Sequence, residues 1–266
     1  NYDVARREAH GAGRVKSMPH PCLVHLEHAF YFSQLHFSIL IMEYCCGGSL
    51  QTRLERPPTP QRPLKYVPPD RARIWALQIF LGLEHMHKRL EIIYRDLKPA
   101  NVVLDGGDCA KITDLGLCKL SGRSSGRGCY GSRGYLAPEM RDGQPHNFSA
   151  DLYSFGCLLF VMYGGGIDGT LLPYLPERPE THDWADLRSA LQPGQQRVPC
   201  PLESACLDLV RLLTSENPDE RGTYEKIRED RWMVAAEQAQ QPWPAFPAYD
   251  WDEAKVEEWY YKCRST

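Results

Sequence analysis

The chain has 266 residues, 42% of them hydrophobic and 24% charged, with a formal net charge of −3. That length can bury one substantial core, as one compact domain or two closely packed lobes, without covalent staples. The charge balance argues against a dedicated nucleic-acid binder. The longest apolar run, around Cys157–Tyr163, is far short of the roughly 20 residues that span a bilayer. Ten cysteines are present, but none form a C-x-x-C pair, so the spacing of structural zinc sites is missing and free thiols in a reducing, cytoplasmic compartment are expected. The chain opens without an apolar signal-peptide core and without an initiator Met, which reads as a piece of something larger.

In chain order, residues 1–20 carry a weak helical pattern around Val4–Glu8, ended by Pro19-His20-Pro21. Leu23–Phe30 and His36–Tyr44, rich in β-branched and aromatic residues, predict strands, and Cys45-Cys46-Gly47-Gly48-Ser49 predicts a break. Gln51–Pro69 is proline-rich and reads as a loop with a short helical start. Asp70 stands as the N-cap of an apolar helix through Ile74, Leu77, Phe80, Leu83 and Met86. Short strands and turns follow from Ile92 to Thr113, and a Gly-, Ser- and Arg-rich mobile loop occupies 117–134. Ser149 caps a second helix, Asp151–Tyr163, apolar on nearly every side and therefore buried, with Gly164–Gly166 stopping it. Further helices are expected at Trp184–Leu191, Leu202–Thr214 and Tyr224–Met233, and the aromatic, proline-bearing tail from about Ala235 reads as an extended strap.

Three blocks carry chemistry. The first is Tyr94-Arg95-Asp96-Leu97-Lys98-Pro99-Ala100-Asn101; the second, Thr113-Asp114-Leu115-Gly116, places its aspartate 18 positions after Asp96; the third is Gly131-Ser132-Arg133-Gly134-Tyr135-Leu136-Ala137-Pro138-Glu139. Any one alone would be a surface turn. Together, in this order, they resemble the catalytic, metal and substrate loops of eukaryotic protein kinases, with Y-R-D in place of H-R-D and D-L-G in place of D-F-G. The resemblance implies an α+β, protein kinase-like bilobal fold: a remnant of the small lobe over 1–44, a mostly helical large lobe over 45–234, and an AGC-like C-terminal tail over 235–266. The small β lobe is incomplete.

Phosphoryl transfer asks for a positioned hydroxyl, metal to neutralise phosphates, and a fixed cation. Asp96 would orient the substrate hydroxyl, and Lys98, two residues on in an extended loop, shares its side and would neutralise the phosphate in transfer. Asn101 and Asp114 offer neutral and anionic oxygens suited to Mg²⁺, and Gly116 permits the turn behind Asp114. The resemblance further implies Ser132 bridging Asp96 and Lys98, Asp151 accepting hydrogen bonds from the catalytic-loop backbone, and Arg221 paired with Glu139 in a largely buried ion pair. For ATP it implies Met42 as gatekeeper, the backbone of Glu43 and Cys45 on adenine, Val103 as apolar floor, and Thr113 beside Asp114. Glu8 stands where the small-lobe helix glutamate would be, with a solvated surface glutamate as the alternative.

Lys98 and Ser132 point to Ser/Thr substrates. Leu81-Gly82-Leu83-Glu84-His85-Met86-His87 together with the first two blocks resembles the G protein-coupled receptor kinases, in their β-adrenergic receptor kinase branch of the AGC group. That implies a protein substrate, including an activated receptor, and recruitment to the membrane surface through other domains. Gly128 occupies the position where many AGC kinases carry an activating phosphothreonine; Ser121, Ser124 and Ser125 lie out of that register and read as solvated. The chain departs from the family in lacking a Gly-rich phosphate loop and a Val-Ala-x-Lys strand ahead of the hinge, in Ser49 replacing an acidic residue, and over Thr170–Pro201. Poor ATP binding, and turnover that is slow or absent, are therefore expected of it. The competing reading is a pseudokinase or fragment serving as a binding scaffold; an unrelated nucleotide binder would want a Gly-x-x-x-x-Gly-Lys-Ser/Thr loop, which is absent.

Overall fold

The structure, a computed structural model, describes residues 11, 13–32, 37–55, 67–120, 128–163 and 204–239. A short helix, α1, occupies 13–17 and leads into β1 (Leu26–Phe32) and β2 (Phe37–Met42), an antiparallel hairpin running from Leu26 opposite Met42 to Phe32 opposite Phe37. Leu23, expected to open the first strand, instead forms a single bridge with Ile112, and the strand proper begins three residues later. β3 (Gly48–Ser49) runs directly into α2 (Leu50–Glu55).

The long helix α3 (Pro69–Lys88) is buried almost continuously from Trp75 to His87. Asp70 is not its N-cap. The helix begins one residue earlier, at Pro69, whose missing N–H removes a donor that would be unpaired anyway, and Asp70 sits in the first turn where its charge suits the dipole. β4 (Ile92–Ile93) pairs with β7 (Lys119–Leu120), so the first part of the segment expected to be a mobile loop is a short strand. Between them, β5 (Val102–Leu104) is the middle strand of a sheet with β3 and β6 (Ala110–Ile112).

A single turn, α4 (Pro138–Arg141), precedes α5 (Ser149–Met162), whose residues from Ala150 onward are all buried. The residue before α5 is Phe148, and Ser149 is not its cap: the Asn147 side chain accepts the Ser149 amide at 2.8 Å. α6 (Ser204–Leu213) packs on α5. The helix expected over Tyr224–Met233 is two helices, α7 (Tyr224–Arg228) and α8 (Arg231–Ala239), because Asp230 accepts the Trp232 amide at 2.8 Å and starts a new helix. α8 reaches Ala239, so the tail is not extended from Ala235; the remainder of it, Glu8 and the helix expected at Trp184–Leu191 lie outside the described residues.

The core gathers around α3 and α5. Phe80 meets Phe155 with ring centroids 6.1 Å apart and Tyr224 at 5.2 Å, and α8 closes the other side of α3. The arrangement is α+β, with a helical body and small antiparallel sheets. The eight cysteines among the described residues are free thiols, and none of the described helices is long and apolar enough to cross a membrane.

Candidate active site

The segment between β4 and β5 is held from below by α5. Asp151, with no exposed surface, accepts the Tyr94 amide on one carboxylate oxygen and the Arg95 amide on the other, each at 2.7 Å. Its Oδ2 also lies 2.7 Å from His87 Nε2, and His87 Nδ1 lies 2.5 Å from the Tyr224 hydroxyl. A buried carboxylate is costly unless its lone pairs are filled, and here α3, α7 and the loop backbone all contribute.

Above that support, four side chains converge. Lys98 Nζ donates to Asp96 Oδ2 at 2.9 Å and to Ser132 Oγ at 2.6 Å, while the Ser132 hydroxyl donates to Asp96 Oδ1 at 2.8 Å. Asn101 Nδ2 donates to the Asp96 carbonyl and to Asp96 Oδ2, both at 2.9 Å. The extended backbone of Lys98, with φ −157° and ψ 165°, puts its ammonium on the Asp96 side of the loop. Asp96 is thus presented by three donors, its two oxygens aimed by groups from both the 94–101 loop and the 131–139 segment.

Asp114 joins them through the backbone. The Thr113 amide donates to the Asn101 carbonyl at 3.0 Å, and the Tyr94 hydroxyl donates to the Thr113 carbonyl at 2.5 Å. Burial raises the Tyr94 phenol well above its ordinary range, with the charges of Asp96 and Asp114 adding to the effect, so it stays a neutral donor. The unusual dihedral at this turn falls on Asp114 itself, at φ 57°, and not on Gly116 as the sequence reading had it; the Gly116 amide donates to Asp114 Oδ1 at 3.0 Å, a local bond that lets an aspartate sit in the left-handed region. Asp114 is exposed. Among the described residues no group of three or more His, Cys, Asp or Glu could hold a metal ion unaided. The oxygen donors of Asn101 and Asp114 fit a hard divalent cation that takes its other ligands from phosphates and water.

Glu139 and Arg221 form a bidentate pair at 2.6 and 2.7 Å, with Arg221 fully buried and further donating to the carbonyls of Ser215, Ser149 and Glu216. The pair ties α4 to the segment behind α6. On the opposite side, Met42 is exposed at the end of β2, and Glu43 and Cys45 follow it half-buried. Val103 is half-buried on β5, opposite Ser49 and Lys111. A small cavity of about 20 Å³ lies between α1, the hairpin and the Asp114 turn, lined by Val15, Leu23, Val24, Met42, Ile112 and Asp114.

Two features escaped the sequence reading. One is the buried ion pair of Lys111 with Glu43 at 2.7 Å, in which Glu43 also accepts the His25 amide at 2.7 Å. Burial works against the Lys111 charge, but Glu43, backed by Asp105, more than offsets it and the ammonium holds its proton above the ordinary range. Ala110, Lys111 and Ile112 are all buried, so strand alternation, which turns Lys111 away from its two neighbours, gave no signal for the pair. The other is Arg95, at φ 71° and buried, stacked on the Tyr130 ring.

The sequence matches the model of the protein kinase domain over residues 2–233. It is 31% identical over 236 residues to ribosomal protein S6 kinase 2 alpha of Xenopus laevis, covering 88% of this chain and 28% of that protein. It is 36% identical over 151 residues to serine/threonine-protein kinase Nek5 of Homo sapiens, covering 56% of this chain and 20% of that one. A shorter stretch, 97 residues at 44% identity, matches G protein-coupled receptor kinase 2 of Drosophila melanogaster, covering 36% of this chain and 13% of that protein. The chain spans less than a third of the length of each of these three relatives. Its mixed helices and sheets, and a family match running through nearly all of the described residues, lead to one conclusion: the chain belongs to the protein kinase domain family, with an α+β bilobal fold.

Proposed function

We propose that this chain is the catalytic domain of a Ser/Thr protein kinase of the AGC group, transferring the ATP γ-phosphoryl group to a protein hydroxyl. The observation that carries the reading is the convergence of Asp96, Lys98, Asn101 and Ser132, with Asp114 tied to Asn101 through Thr113. Asp96, its oxygens already aimed, orients the incoming hydroxyl and accepts its proton; Lys98 neutralises charge on the group in transfer. Mg²⁺, when bound with the nucleotide, supplies charge neutralisation at the phosphates, and Asn101 and Asp114 are the residues that would hold it. The Glu43 amide is committed to the His25 carbonyl at 3.0 Å, so the Glu43 carbonyl and Cys45 amide are the groups left to meet adenine, between Met42 and Val103. In this reading 1–44 belongs to the small lobe, 45–234 is the large lobe, and 235–266 is the AGC-like tail.

The finer proposal is a receptor kinase: a cytoplasmic enzyme, recruited to the membrane surface through domains outside this chain, acting on Ser/Thr of an activated G protein-coupled receptor. The 97-residue match and Gly128 in place of a phosphorylatable residue support it. The test of the activity is Mg²⁺-dependent ATP binding and transfer of label from γ-labelled ATP to casein. Asp114→Asn should lose Mg²⁺-dependent binding, and Asp96→Asn should keep binding while label incorporation falls at least a hundredfold, the size of effect expected from removing a positioned general base. Binding and transfer by the native chain no better than by Asp114→Asn would refute the reading.

A further inference from the structure

Arg95 carries a full charge at 4% exposure. Its Nε–H donates to the Leu117 carbonyl at 2.7 Å and a terminal nitrogen to the Cys118 carbonyl at 3.5 Å, both neutral acceptors. Lys119 stands close by: its own pKa is lowered, first by desolvation and then by the Arg95 charge, so the two cations oppose each other. Burying a guanidinium is costly, so contacts that hold it in place matter to the loop around it. One face of it is covered by the Tyr130 ring, whose centroid lies 4.7 Å from Cζ, within the ~6 Å over which a cation is attracted to the negative face of an aromatic quadrupole.

The backbone on either side of Tyr130 is shaped around this contact. Gly128 has φ 106°, and a Cβ there would sit 2.8 Å from Tyr130 Cε2. Gly131 has φ 121°, and a Cβ there would sit 2.5 Å from the Arg95 carbonyl oxygen. Any side chain at 128 would therefore push the ring off Arg95, and one at 131 would lift the segment away. The next residue, Ser132, bonds both Asp96 and Lys98. Residues 128–132 thus grip 95–98 at two points, by a ring on the cation and by a hydroxyl on the catalytic carboxylate.

We infer that Tyr130 is a positioning residue for phosphoryl transfer: its ring caps the Arg95 charge and keeps Ser132 in register with Asp96 without a phosphate on the loop. The inference rests on the kinase reading above and adds to it a device for holding the loops. Gly128 then does more than lack a hydroxyl; it makes the space the ring occupies.

The experiment compares the full chain with Tyr130→Phe and Tyr130→Leu. Leucine retains apolar bulk without a π face. Tyr130 is 38% exposed, so both variants should fold, which their melting curves check. Two readouts are taken: solvent exchange of the Arg95 Nε–H by ¹⁵N NMR, assigned by its loss in Arg95→Lys, and kcat and KM for ATP with casein as acceptor. Phe should match the native chain in both. Leu should speed Nε–H exchange and lower kcat, each by about five- to thirtyfold, the equivalent of a partly desolvated cation–π contact. KM for ATP should move less than about twofold, because an interaction that acts only on the transition state leaves ground-state binding alone. Equal exchange and equal kcat in Leu and Phe would overturn the inference. Should the exchange contrast appear in a chain that neither binds ATP nor transfers phosphate, the contact stands and it is the kinase reading that falls.

Discussion

The loop carrying Asp96 and the hairpin ahead of it are built on opposite plans. Around 94–101 every strategic group is fixed from several sides: Asp151 and Arg221 have no exposed surface, and each serves three or more partners. The β1–β2 hairpin leaves Ile39 and Ile41 each 45% exposed and Met42 42% exposed. Among the described residues its polar ties to the rest include the Val24 and Ile112 amides with the carbonyls of Ile112 and Cys22, the Lys16 ammonium on the Glu27 carbonyl, and the Lys111–Glu43 pair. Chemistry that tolerates errors of about half an ångström needs the first plan. In the proposed reading the hairpin borders the nucleotide and does not itself carry that demand.

Removing a tie from the rigid region should therefore cost most. Arg221→Ala strands the Glu139 carboxylate in a buried site, and about 3–5 kcal/mol of stability should go with it. For a chain of this size that is a fall in Tm of about 6–20 °C in a thermal unfolding scan. A Tm within about 2 °C of the native value would mean the pair is not what holds α4 in place.

The joint between the two regions is next, and acid should loosen it. His20, in the turn before β1, stacks on His85 of α3 with ring centroids 4.7 Å apart. Burial pushes the His85 pKa down to about 4, against the Met18 carbonyl that pulls it up and with Arg89 adding to the depression; burial also lowers His20, with His85 and Lys111 opposing its charge. Both rings are neutral when folded and take up protons more readily when unfolded. Their stabilisation is thus complete above about pH 6.5 and lost as pH falls toward 4, with His85 alone accounting for about 3 kcal/mol. His85→Gln should flatten the dependence of Tm on pH over that window; an unchanged slope would count against the stack as the acid-sensitive joint. A smaller loss, about 2 kcal/mol, is expected for Asp151→Asn, whose amide would turn a donor toward the Tyr94 or Arg95 amide. Because those amides carry the Asp96 loop, its phosphotransfer rate should fall more than its Tm suggests, which parallel activity and melting measurements would detect.

How much of this could be read from the chain depends on where partners meet. Asp96, Lys98 and Asn101 lie within six residues, and identity plus local geometry suffices to bring them together. Glu139 and Arg221 are 82 residues apart, and only a resemblance could join them. No such guide existed for Lys111 with Glu43, 68 apart, or for Tyr130 over Arg95, because those contacts are made where separately folded segments touch. Local competition explains the misplaced helix starts. Asn147 lies two residues before Ser149, and its side chain accepts Ser149's own amide, which leaves Ser149 inside the helix and not at its cap; Asp230 interrupted an apolar pattern that by periodicity alone ran on to Met233. The fold class was legible because three local motifs carried the family resemblance, whereas helix starts rest on which of several polar side chains wins one N–H.

The hairpin's own tie should give the smallest effect when it is removed whole. Lys111 and Glu43 are 8% and 9% exposed at their side chains, so desolvation has already taken much of what their attraction returns. Lys111→Met alone leaves the Glu43 carboxylate buried with only the His25 amide and water to satisfy it, and should be clearly destabilising. Adding Glu43→Gln removes the stranded charge while an amide oxygen can still accept from His25. The double variant should return to within about 1 kcal/mol of the native chain in urea unfolding, with the m-value unchanged. If it stays as unstable as Lys111→Met, the ion pair itself, and not merely the avoidance of an unpaired charge, anchors the hairpin, and the contrast between a rigid loop and a loosely tied hairpin would have to be redrawn.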